Sequence, residues 1–543
     1  MDAVTAVPHP ANEPVKSYAP GSPERTELRA TVDAMAAAGP VELAGVFGRE
    51  RRLGSGAHEY RVTMPSDHRQ VLGVTRQAGK ADTRAAIDEA MRIRPEWAAT
   101  GFDERAAIFL RAAELLAGPW RARINAATML GQGKTVQQAE IDAACELIDF
   151  LRFNVAFAQE IYANQPVSSP GVWNRMDYRP LDGFVYAITP FNFTAIGGNL
   201  PTSPAIMGNT VLWKPALTQQ FAASVFMDVL EEAGLPRGVI SMLPGHGQEV
   251  SEVALADPDL GGIHFTGSTR VFQGLWAEIG GNIARYRSYP RIVGETGGKD
   301  FVLAHPSADP DVLVTALVRG AFEYSGQKCS AASRCYLPNS LWRRISDDLV
   351  GQVEELTVGD VREFANFTSA VIDERAFDKL AGAIERARAS TDAEVIAGGT
   401  YDKSDGWYVR PTLVRSDNPA QDVFVSEYFG PILGVFVYDD ADYDQVLEVI
   451  DTTAPYALTG AVIASDRAAI AQASDALRHT AGNFYINDKP TGAVVGQQPF
   501  GGSRASGTND KAGSVWNLIR WVSPRAVKEN LLPPRTIGYP HML

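Results

Sequence analysis

The chain has 543 residues, of which 45% are apolar and 21% are charged, and its formal net charge is −14. This length predicts two or three domains, and the negative charge argues against nucleic acid or an anionic membrane as a partner. Three cysteines cannot form a disulfide framework and lack the spacing of metal ligands, so no metal site is predicted and a reducing compartment fits best.

The first 30 residues are predicted to form an extended arm, because five prolines lie between Pro8 and Pro23. This segment has neither an apolar core nor an Arg-rich amphipathic pattern, so it predicts no targeting signal and a cytoplasmic protein. The chain contains no run of 18 apolar residues, and no membrane span is expected.

Helical spacing of apolar residues comes next in the chain, at residues 84–98, 103–116 and 135–162. Between residues 172 and 178 the chain is polar and aromatic and is bracketed by Gly171 and Pro180, which predicts a projecting hairpin.

From Gly183 onward, short apolar strands alternate with helical patterns. The strands are predicted at residues 184–188, 210–213, 239–243, 262–265 and 291–293, with helices at 219–234 and 249–255. A second series at residues 301–487 includes helices at 311–324, 341–356 and 375–388. This alternation indicates an α/β fold with parallel sheets, whose ligands bind beyond the carboxyl ends of the strands. The tail at residues 518–527 is predicted to be a strand that another subunit completes.

Four polar clusters lie where predicted strands end. Asn192 could donate its amide to an oxyanion or close a turn on its own backbone. Lys214 could bond a ribose hydroxyl or a phosphate, or face solvent. Gly267 and Ser268 precede a predicted helix whose N–H groups favour a phosphate, but they match neither the Walker A nor the G-x-G-x-x-G pattern. Glu295 lies in a segment predicted to be buried, which would raise its pKa and suit a general base, although a lone Glu is usually solvated.

Cys329 is the candidate nucleophile. It lies among small residues beside Lys328, and a neighbouring ammonium lowers the pKa of a thiol; most lone cysteines are nevertheless inert core residues. Cys145 and Cys335 fall in a helix and a strand and are predicted to be structural. Glu146 is either an ion-pair partner of Lys328 near the thiol or a solvated helix residue.

Six ordered motifs resemble the aldehyde dehydrogenase superfamily. They are Pro-Phe-Asn-Phe ending at Phe193, Trp-Lys-Pro around Lys214, Gly-Ser-Thr at 267–269, Glu-Thr-Gly-Gly-Lys from Glu295, Gly-Gln-Lys-Cys ending at Cys329, and Glu-Tyr-Phe-Gly-Pro at 427–431. The resemblance runs from roughly residue 45 to the end of the chain. Residues 482–502 and 504–509 are similar, more narrowly, to the subfamily that oxidises L-glutamate γ-semialdehyde, which forms when Δ1-pyrroline-5-carboxylate opens.

The resemblance implies two Rossmann-type α/β domains and a small β oligomerisation flap. The expected division is an arm at residues 1–30, an NAD-binding domain at 31–168 and 185–298, a catalytic domain at 299–505, and a flap and tail at 169–184 and 506–543. Exchange of such a flap between subunits implies at least a homodimer.

The activity implied by the resemblance is NAD-dependent oxidation of L-glutamate γ-semialdehyde to L-glutamate, the second step of proline catabolism. Cys329 would attack the aldehyde to give a thiohemiacetal, whose oxyanion is held by Asn192 and the Cys329 N–H. Loss of hydride would leave a thioester, and Glu295 would activate the water that hydrolyses it.

The resemblance also implies which residues bind the cofactor and the substrate. The residues that the resemblance assigns to NAD binding are Lys214, Gly267, Ser268, Glu427, Phe429, Thr189, Pro190 and Phe191. Leu217 and Phe272 depart from the commoner pattern of a glutamate and a glycine at these positions, so the preference for NAD over NADP rests on family habit. The residues carried over for the substrate are Ser330, Gly492 and Ala493 at its carboxylate, and Phe193 and Phe500 beside its methylene chain.

Two other interpretations stay open. One is a different semialdehyde dehydrogenase or a CoA-acylating relative, against which Glu295 argues because activating water requires a base. The other is a catalytically silent binding relative, against which the presence of Asn192, Glu295 and Cys329 argues. The expected partners are a small-molecule substrate and further copies of the chain, without nucleic acid or membrane. A transient contact with a separate proline dehydrogenase is left open.

Overall fold

The computed structural model describes residues 4–542 and is built around two largely parallel sheets. The first sheet is parallel throughout and has the strand order Arg291–Glu295, Leu260–Thr266, Phe184–Ile188, Val211–Lys214, Ile240–Met242. The second has the order Glu394–Ala397, Thr412–Arg415, Ile432–Tyr438, Ala332–Pro338, Asp300–Ala304, Thr459–Ile463, Asn483–Ile486, and only its first pair is antiparallel. The predicted α/β class is confirmed.

Helices cover these sheets, so the central strands are buried along their whole length, as Phe184–Ile188 and Asp300–Ala304 are. The α-helices are Pro23–Ala37, Lys80–Ala99, Phe102–Ala117, Arg121–Gln132, Val136–Ala139, Leu147–Ala163, Thr194–Ile206, Gln220–Ala233, Gly247–Ala256, Thr269–Gly281, Pro310–Phe322, Asn339–Glu355, Glu374–Ala389, Asp422–Val425, Tyr443–Thr453, Arg467–Ala476 and Val515–Leu518. The helices predicted from residue 84 to residue 116 and from 219 to 388 are confirmed to within a few residues at each end.

The predicted extended arm is too long. A helix begins inside it at Pro23, because Ser22 accepts a hydrogen bond from the Arg25 N–H and a proline at the first helical position loses no helical bond. Residues 4–18 have no regular secondary structure. They lie against the helices near the candidate site, where Glu13 pairs with Arg121 at 2.5 Å.

The helix predicted at residues 135–162 is interrupted by the π-helix Glu140–Glu146. Within it, the Asp142 carboxylate accepts hydrogen bonds from the backbone N–H groups of Thr194 and Ala195. A π-turn adds a residue to the helix and redirects its side chains, and this one caps the Thr194–Ile206 helix.

The predicted hairpin at residues 172–178 is wrong. Val172–Pro180 is one strand, and its antiparallel partner is Val522–Asn530 from the same chain. The tail strand therefore starts four residues later than the predicted start at residue 518, and it is completed within the chain in this structure. We call this strand pair the ribbon; its solvent-exposed residues include Trp173.

Among residues 4–542, no helix is both long enough and apolar enough to cross a bilayer. The same part of the chain contains no group of three or more His, Cys, Asp or Glu side chains placed to hold a metal ion.

Candidate active site

One cavity of about 930 Å³ brings the predicted nucleophile, base and substrate residues together. Its lining includes Cys329, Glu295, Ser330, Gly492, Ala493, Phe193 and Phe500. Glu295 ends a strand of the first sheet, and Cys329 lies just before a strand of the second, so the cavity is bounded by both sheets. Its volume is in the range of pockets that enclose small molecules.

Cys329 is held by an unusual turn. The backbone φ angles of Tyr324, Ser325 and Gly326 are 54°, 51° and 65°, in the left-handed region that non-glycine residues seldom occupy. Hydrogen bonds hold this conformation, since the Ser325 N–H donates to Thr368 Oγ1 at 2.7 Å. The turn places the half-buried thiol at the cavity wall.

The expectation that Lys328 activates the thiol is wrong for this structure. The ammonium of Lys328 donates to Glu323 at 3.0 Å, and this carboxylate rather than Glu146 is its partner. Burial, followed by the charges of Asp300 and Glu295, raises the pKa of the Cys329 thiol above its ordinary value. A thiol in this setting has to pass its proton to a base as it attacks.

Asn192 reaches the same turn. Its buried side-chain nitrogen donates one N–H to the Gln327 carbonyl at 2.9 Å, two residues before Cys329. An amide nitrogen carries two N–H groups, and no second partner is recorded for it among residues 4–542. The backbone N–H of Cys329 likewise has no partner in that part of the chain. Two donors are thus available close to the nucleophile.

Glu295 has the environment expected of a base. Its Oε2 atom is inaccessible to solvent and has no hydrogen-bond partner among the described residues. Burial, with a smaller contribution from Asp510, raises its pKa well above the ordinary range, and Lys511 opposes this rise. The sequence-based prediction of a raised pKa at Glu295 is confirmed, while its role as a base stays a prediction.

Six of the eight residues predicted to bind NAD lie at or just beyond the ends of strands in the first sheet, and the other two, Glu427 and Phe429, precede a strand of the second. Lys214 is buried with no ion-pair partner among residues 4–542, and burial lowers its pKa to about 8. Ser268 is the N-cap of the Thr269–Gly281 helix, and the Gly267 N–H donates to the Glu295 carbonyl at 3.2 Å. Thr189 accepts a hydrogen bond from the Trp213 indole, which fixes the loop containing Pro190 and Phe191.

Glu427 and Phe429 reach Cys329 from another side. They line a second, small cavity that also touches the thiol residue. The Glu427 Oε1 atom accepts from the Gly298 N–H at 2.9 Å, and burial raises the pKa of this carboxyl. The rings of Phe429 and Phe191 meet edge to face with centroids 5.8 Å apart.

The predicted substrate loop lies next to Cys329. Ser330 shares a hydrogen bond of 2.8 Å with Thr491, which directly precedes Gly492. Gly492 has a φ of +100°, which a residue with a Cβ rarely adopts, so glycine suits this position. The loop thereby places the N–H groups of Gly492 and Ala493 near the residue that follows the nucleophile.

Several site residues were missed by the sequence analysis. Lys134 and Asp142 form a fully buried ion pair at 2.7 Å, and the Lys134 ammonium lies 3.9 Å from the centre of the Phe193 ring. Asn12 of the arm donates to both Asp149 and the Val495 carbonyl. No sequence signal marks Lys134, because the sequence alone does not show that this lysine is buried. The contact from Asn12 to Val495 joins residues 483 positions apart, which a local pattern does not reveal.

A model of the aldehyde dehydrogenase family matches residues 53–527. A Mycobacterium tuberculosis structure named Δ-pyrroline-5-carboxylate dehydrogenase, bound with NAD, is 60% identical, has a TM-score of 0.97 and covers 100% of both chains. A Dictyostelium discoideum protein named mitochondrial Δ1-pyrroline-5-carboxylate dehydrogenase is 48% identical and covers 99% of this chain and 96% of its own length.

A structure of proline utilization A from Bdellovibrio bacteriovorus is similar over only part of its own length. The two proteins are 29% identical with a TM-score of 0.90, and the match covers 97% of the present chain but 54% of the proline utilization A chain.

The prediction of a cytoplasmic location is contradicted by the names of relatives. The Dictyostelium protein and relatives from Emericella nidulans, Mus musculus and Homo sapiens are all named mitochondrial. The composition of the first 30 residues therefore did not support the conclusion drawn from it.

Proposed function

The chain belongs to the aldehyde dehydrogenase family, and from that premise we propose that it is an NAD-dependent dehydrogenase of L-glutamate γ-semialdehyde, which forms from Δ1-pyrroline-5-carboxylate and is oxidised to L-glutamate. The observation that carries the proposal is one cavity that is lined by the Cys329 thiol, the Glu295 carboxylate and the loop containing Gly492 and Ala493. Relatives named for this activity, matched over nearly the whole chain, support the same substrate.

The residues present fit NAD. Lys214 offers a buried ammonium that has no ion-pair partner in the described part of the chain, Ser268 opens a helix whose N–H groups suit a pyrophosphate, and Glu427 is fixed by the Gly298 N–H to accept from a ribose. Thr189, Pro190, Phe191, Gly267 and Phe429 complete the proposed site. When bound, NAD supplies the acceptor for the hydride of the aldehyde carbon.

The chain's own residues account for the remaining chemistry. Cys329 attacks the carbonyl carbon while its proton passes to solvent, and the N–H groups of Asn192 and Cys329 stabilise the oxyanion of the thiohemiacetal. After oxidation of that carbon to the thioester level, Glu295 removes a proton from water, which attacks the thioester and releases the carboxylic acid and the thiol.

Ser330, Gly492 and Ala493 position the other end of the substrate. Their hydroxyl and N–H groups are the donors that a carboxylate needs, while Phe193 and Phe500 enclose the methylene chain. This arrangement favours an aldehyde with an anionic head over a simple aliphatic aldehyde.

We also propose that the protein is at least a homodimer. The ribbon leaves Trp173 53% exposed, and beyond it the tail exposes Leu531 and Leu532 at 57% and 79%. Apolar side chains clustered near an exposed ribbon favour contact with a second copy. A transient contact with a separate proline dehydrogenase is a further proposal, supported by the partial match to the longer proline utilization A chain.

The activity is tested by following NADH formation from Δ1-pyrroline-5-carboxylate, succinic semialdehyde and pentanal, each with and without CoA. The proposal predicts the highest kcat/KM with Δ1-pyrroline-5-carboxylate and no dependence on CoA. Faster turnover of pentanal would reject the substrate assignment, and a requirement for CoA would reject hydrolysis by Glu295. Analytical ultracentrifugation tests the homodimer, which a monomer at micromolar concentration would exclude.

A further inference from the structure

Four cations line the cavity that holds Cys329, and they differ in what they contact. Lys328 is paired with Glu323, and Arg25 donates to a backbone carbonyl. Lys489 and Arg319 have no ion-pair partner among residues 4–542. Arg319 is exposed on its helix, whereas Lys489 is half-buried. Lys489 is therefore the only one of the four, within the described chain, that combines partial burial with a free ammonium.

The Lys489 ammonium lies beside the substrate loop. A Cβ built on Gly492 would lie 3.6 Å from Lys489 Nζ, and that atom is the nearest neighbour of the added carbon. The positive φ of Gly492 turns the chain back after Thr491, and the ammonium of the residue three positions earlier lies beside the Gly492 backbone. The stem of Lys489 is held at its base, because its Cβ lies 3.3 Å from a Cβ built on Gly320.

A carboxylate entering this cavity needs a positive charge. Five acidic side chains line the same space: Glu13, Glu146, Asp149, Glu295 and Glu323. Glu13 and Glu323 are paired with cations, and burial raises the pKa of the other three, so an uncompensated negative charge is unfavourable here. The donors assigned to the substrate carboxylate so far are neutral, and one of them, Ser330, already shares its hydrogen bond with Thr491. Neutral donors satisfy lone pairs but do not offset a full charge, and charge interactions are strengthened where water is excluded.

We propose that Lys489 binds the α-carboxylate of the substrate, acting with the N–H groups of Gly492 and Ala493. This inference rests on the proposed function and deepens it, because it assigns the preference for an anionic aldehyde to a single charged group. Lys489 acts on the binding of the carboxylate head and leaves the reacting carbon to Cys329.

The test compares two substrates of five carbons, Δ1-pyrroline-5-carboxylate and pentanal, in three variants. Lys489→Met keeps most of the length of the side chain and removes the charge, while Lys489→Arg keeps the charge. Lys403→Met is the matched control, because Lys403 is a surface residue that pairs with Glu374 and Asp378 and does not line the cavity. Steady-state kcat and KM are measured for each enzyme at low and high salt.

Lys489→Met is expected to raise the KM for Δ1-pyrroline-5-carboxylate by about 10- to 100-fold, the loss typical of one charge-assisted hydrogen bond. Its kcat, and its kcat/KM for pentanal, should stay near the wild-type values, Lys489→Arg should restore most of the affinity, and Lys403→Met should resemble wild type. The salt dependence of KM should also weaken in Lys489→Met.

Two results overturn the inference and leave the proposed function standing: an unchanged KM in Lys489→Met, or an equal loss with pentanal, which would make Lys489 a structural residue. A wild-type enzyme that does not oxidise Δ1-pyrroline-5-carboxylate overturns the proposed function itself, and the inference with it.

Discussion

The candidate site, meaning the cavity around Cys329 together with the residues proposed for NAD, has two walls that are built differently. One wall consists of residues at the ends of parallel strands, such as Lys214 and Glu295, which the sheet brings to one edge. The other consists of the N-terminal arm, the π-helix and the loop from Lys489 to Phe500, which meet through side-chain contacts between distant parts of the chain. Under the proposed function, the first wall supplies the base and the cofactor contacts, and the second holds the substrate. Substitutions in the two walls should therefore alter different kinetic constants.

The largest effect is expected at Glu295. Glu295→Gln should lower steady-state turnover by about 10²- to 10⁴-fold, the usual contribution of a general base, while a first turnover of NADH formation persists because hydride loss precedes hydrolysis. Because burial raises the pKa of Glu295, wild-type turnover should fall as the pH drops through that raised pKa, where the base becomes protonated. The glutamine variant should lack this acidic limb. Stopped-flow kinetics across pH measures both effects, and full steady-state activity in the variant would contradict the assignment.

The second-largest effect is expected at Asn192. Asn192→Ala should lower kcat by about 10²- to 10³-fold, as expected when one oxyanion donor is removed. The affinity for NAD, measured by fluorescence titration, should be unchanged because the side chain bonds to the Gln327 carbonyl near the nucleophile. A variant that loses NAD affinity and keeps its kcat would place Asn192 in the cofactor site instead.

Much of the first wall was predictable from sequence. Lys214 and Glu295 end their strands and Ser268 comes two residues after one, so a local pattern is enough to place them at one edge of a sheet. The reactivity predicted for Cys329 stays a prediction, but the predicted lowering of its pKa was wrong, because Lys328 contacts Glu323 and burial dominates. Adjacency in sequence did not reveal which way that side chain points.

The second wall was largely missed. The ion pair of Lys134 and Asp142 depends on burial and on a π-turn that interrupts a regular helical pattern. The hairpin predicted at residues 172–178 failed for a related reason, because the partner strand lies about 350 residues away in the sequence and no local turn signal points to it.

Within the first wall, Lys214→Met should separate binding of NAD from binding of the aldehyde. Removing this buried ammonium should raise the KM for NAD by about 10-fold, the loss of one charge-assisted hydrogen bond. The KM for Δ1-pyrroline-5-carboxylate should not change, because Lys214 does not line the 930 Å³ cavity. Initial rates at varied NAD measure the effect, and Lys80→Met serves as a control because Lys80 is an exposed lysine paired with Glu252. An altered KM for the aldehyde alone would contradict the prediction.

The smallest effect is expected from the arm. Asn12→Ala removes hydrogen bonds to Asp149 and to the Val495 carbonyl in the substrate loop, each worth about 1 kcal/mol. The KM for Δ1-pyrroline-5-carboxylate should rise about 5-fold with kcat and NAD affinity retained, because a loosened loop weakens binding without touching the thiol. The KM for pentanal, which lacks the carboxylate that the loop is proposed to hold, is measured in the same variant to test this explanation. A fall in kcat without a change in KM would show that the two walls are not separable in this way.

The central claim is that Cys329 forms a covalent acyl intermediate, and the most direct measurement is its capture. Glu295→Gln protein is mixed with NAD and Δ1-pyrroline-5-carboxylate, quenched in acid, digested and analysed by mass spectrometry. The predicted result is a glutamyl thioester on the peptide that contains Cys329, with Cys145 and Cys335 unmodified. NADH formation with an unmodified Cys329, or with the acyl group on either of the other cysteines, would contradict the account.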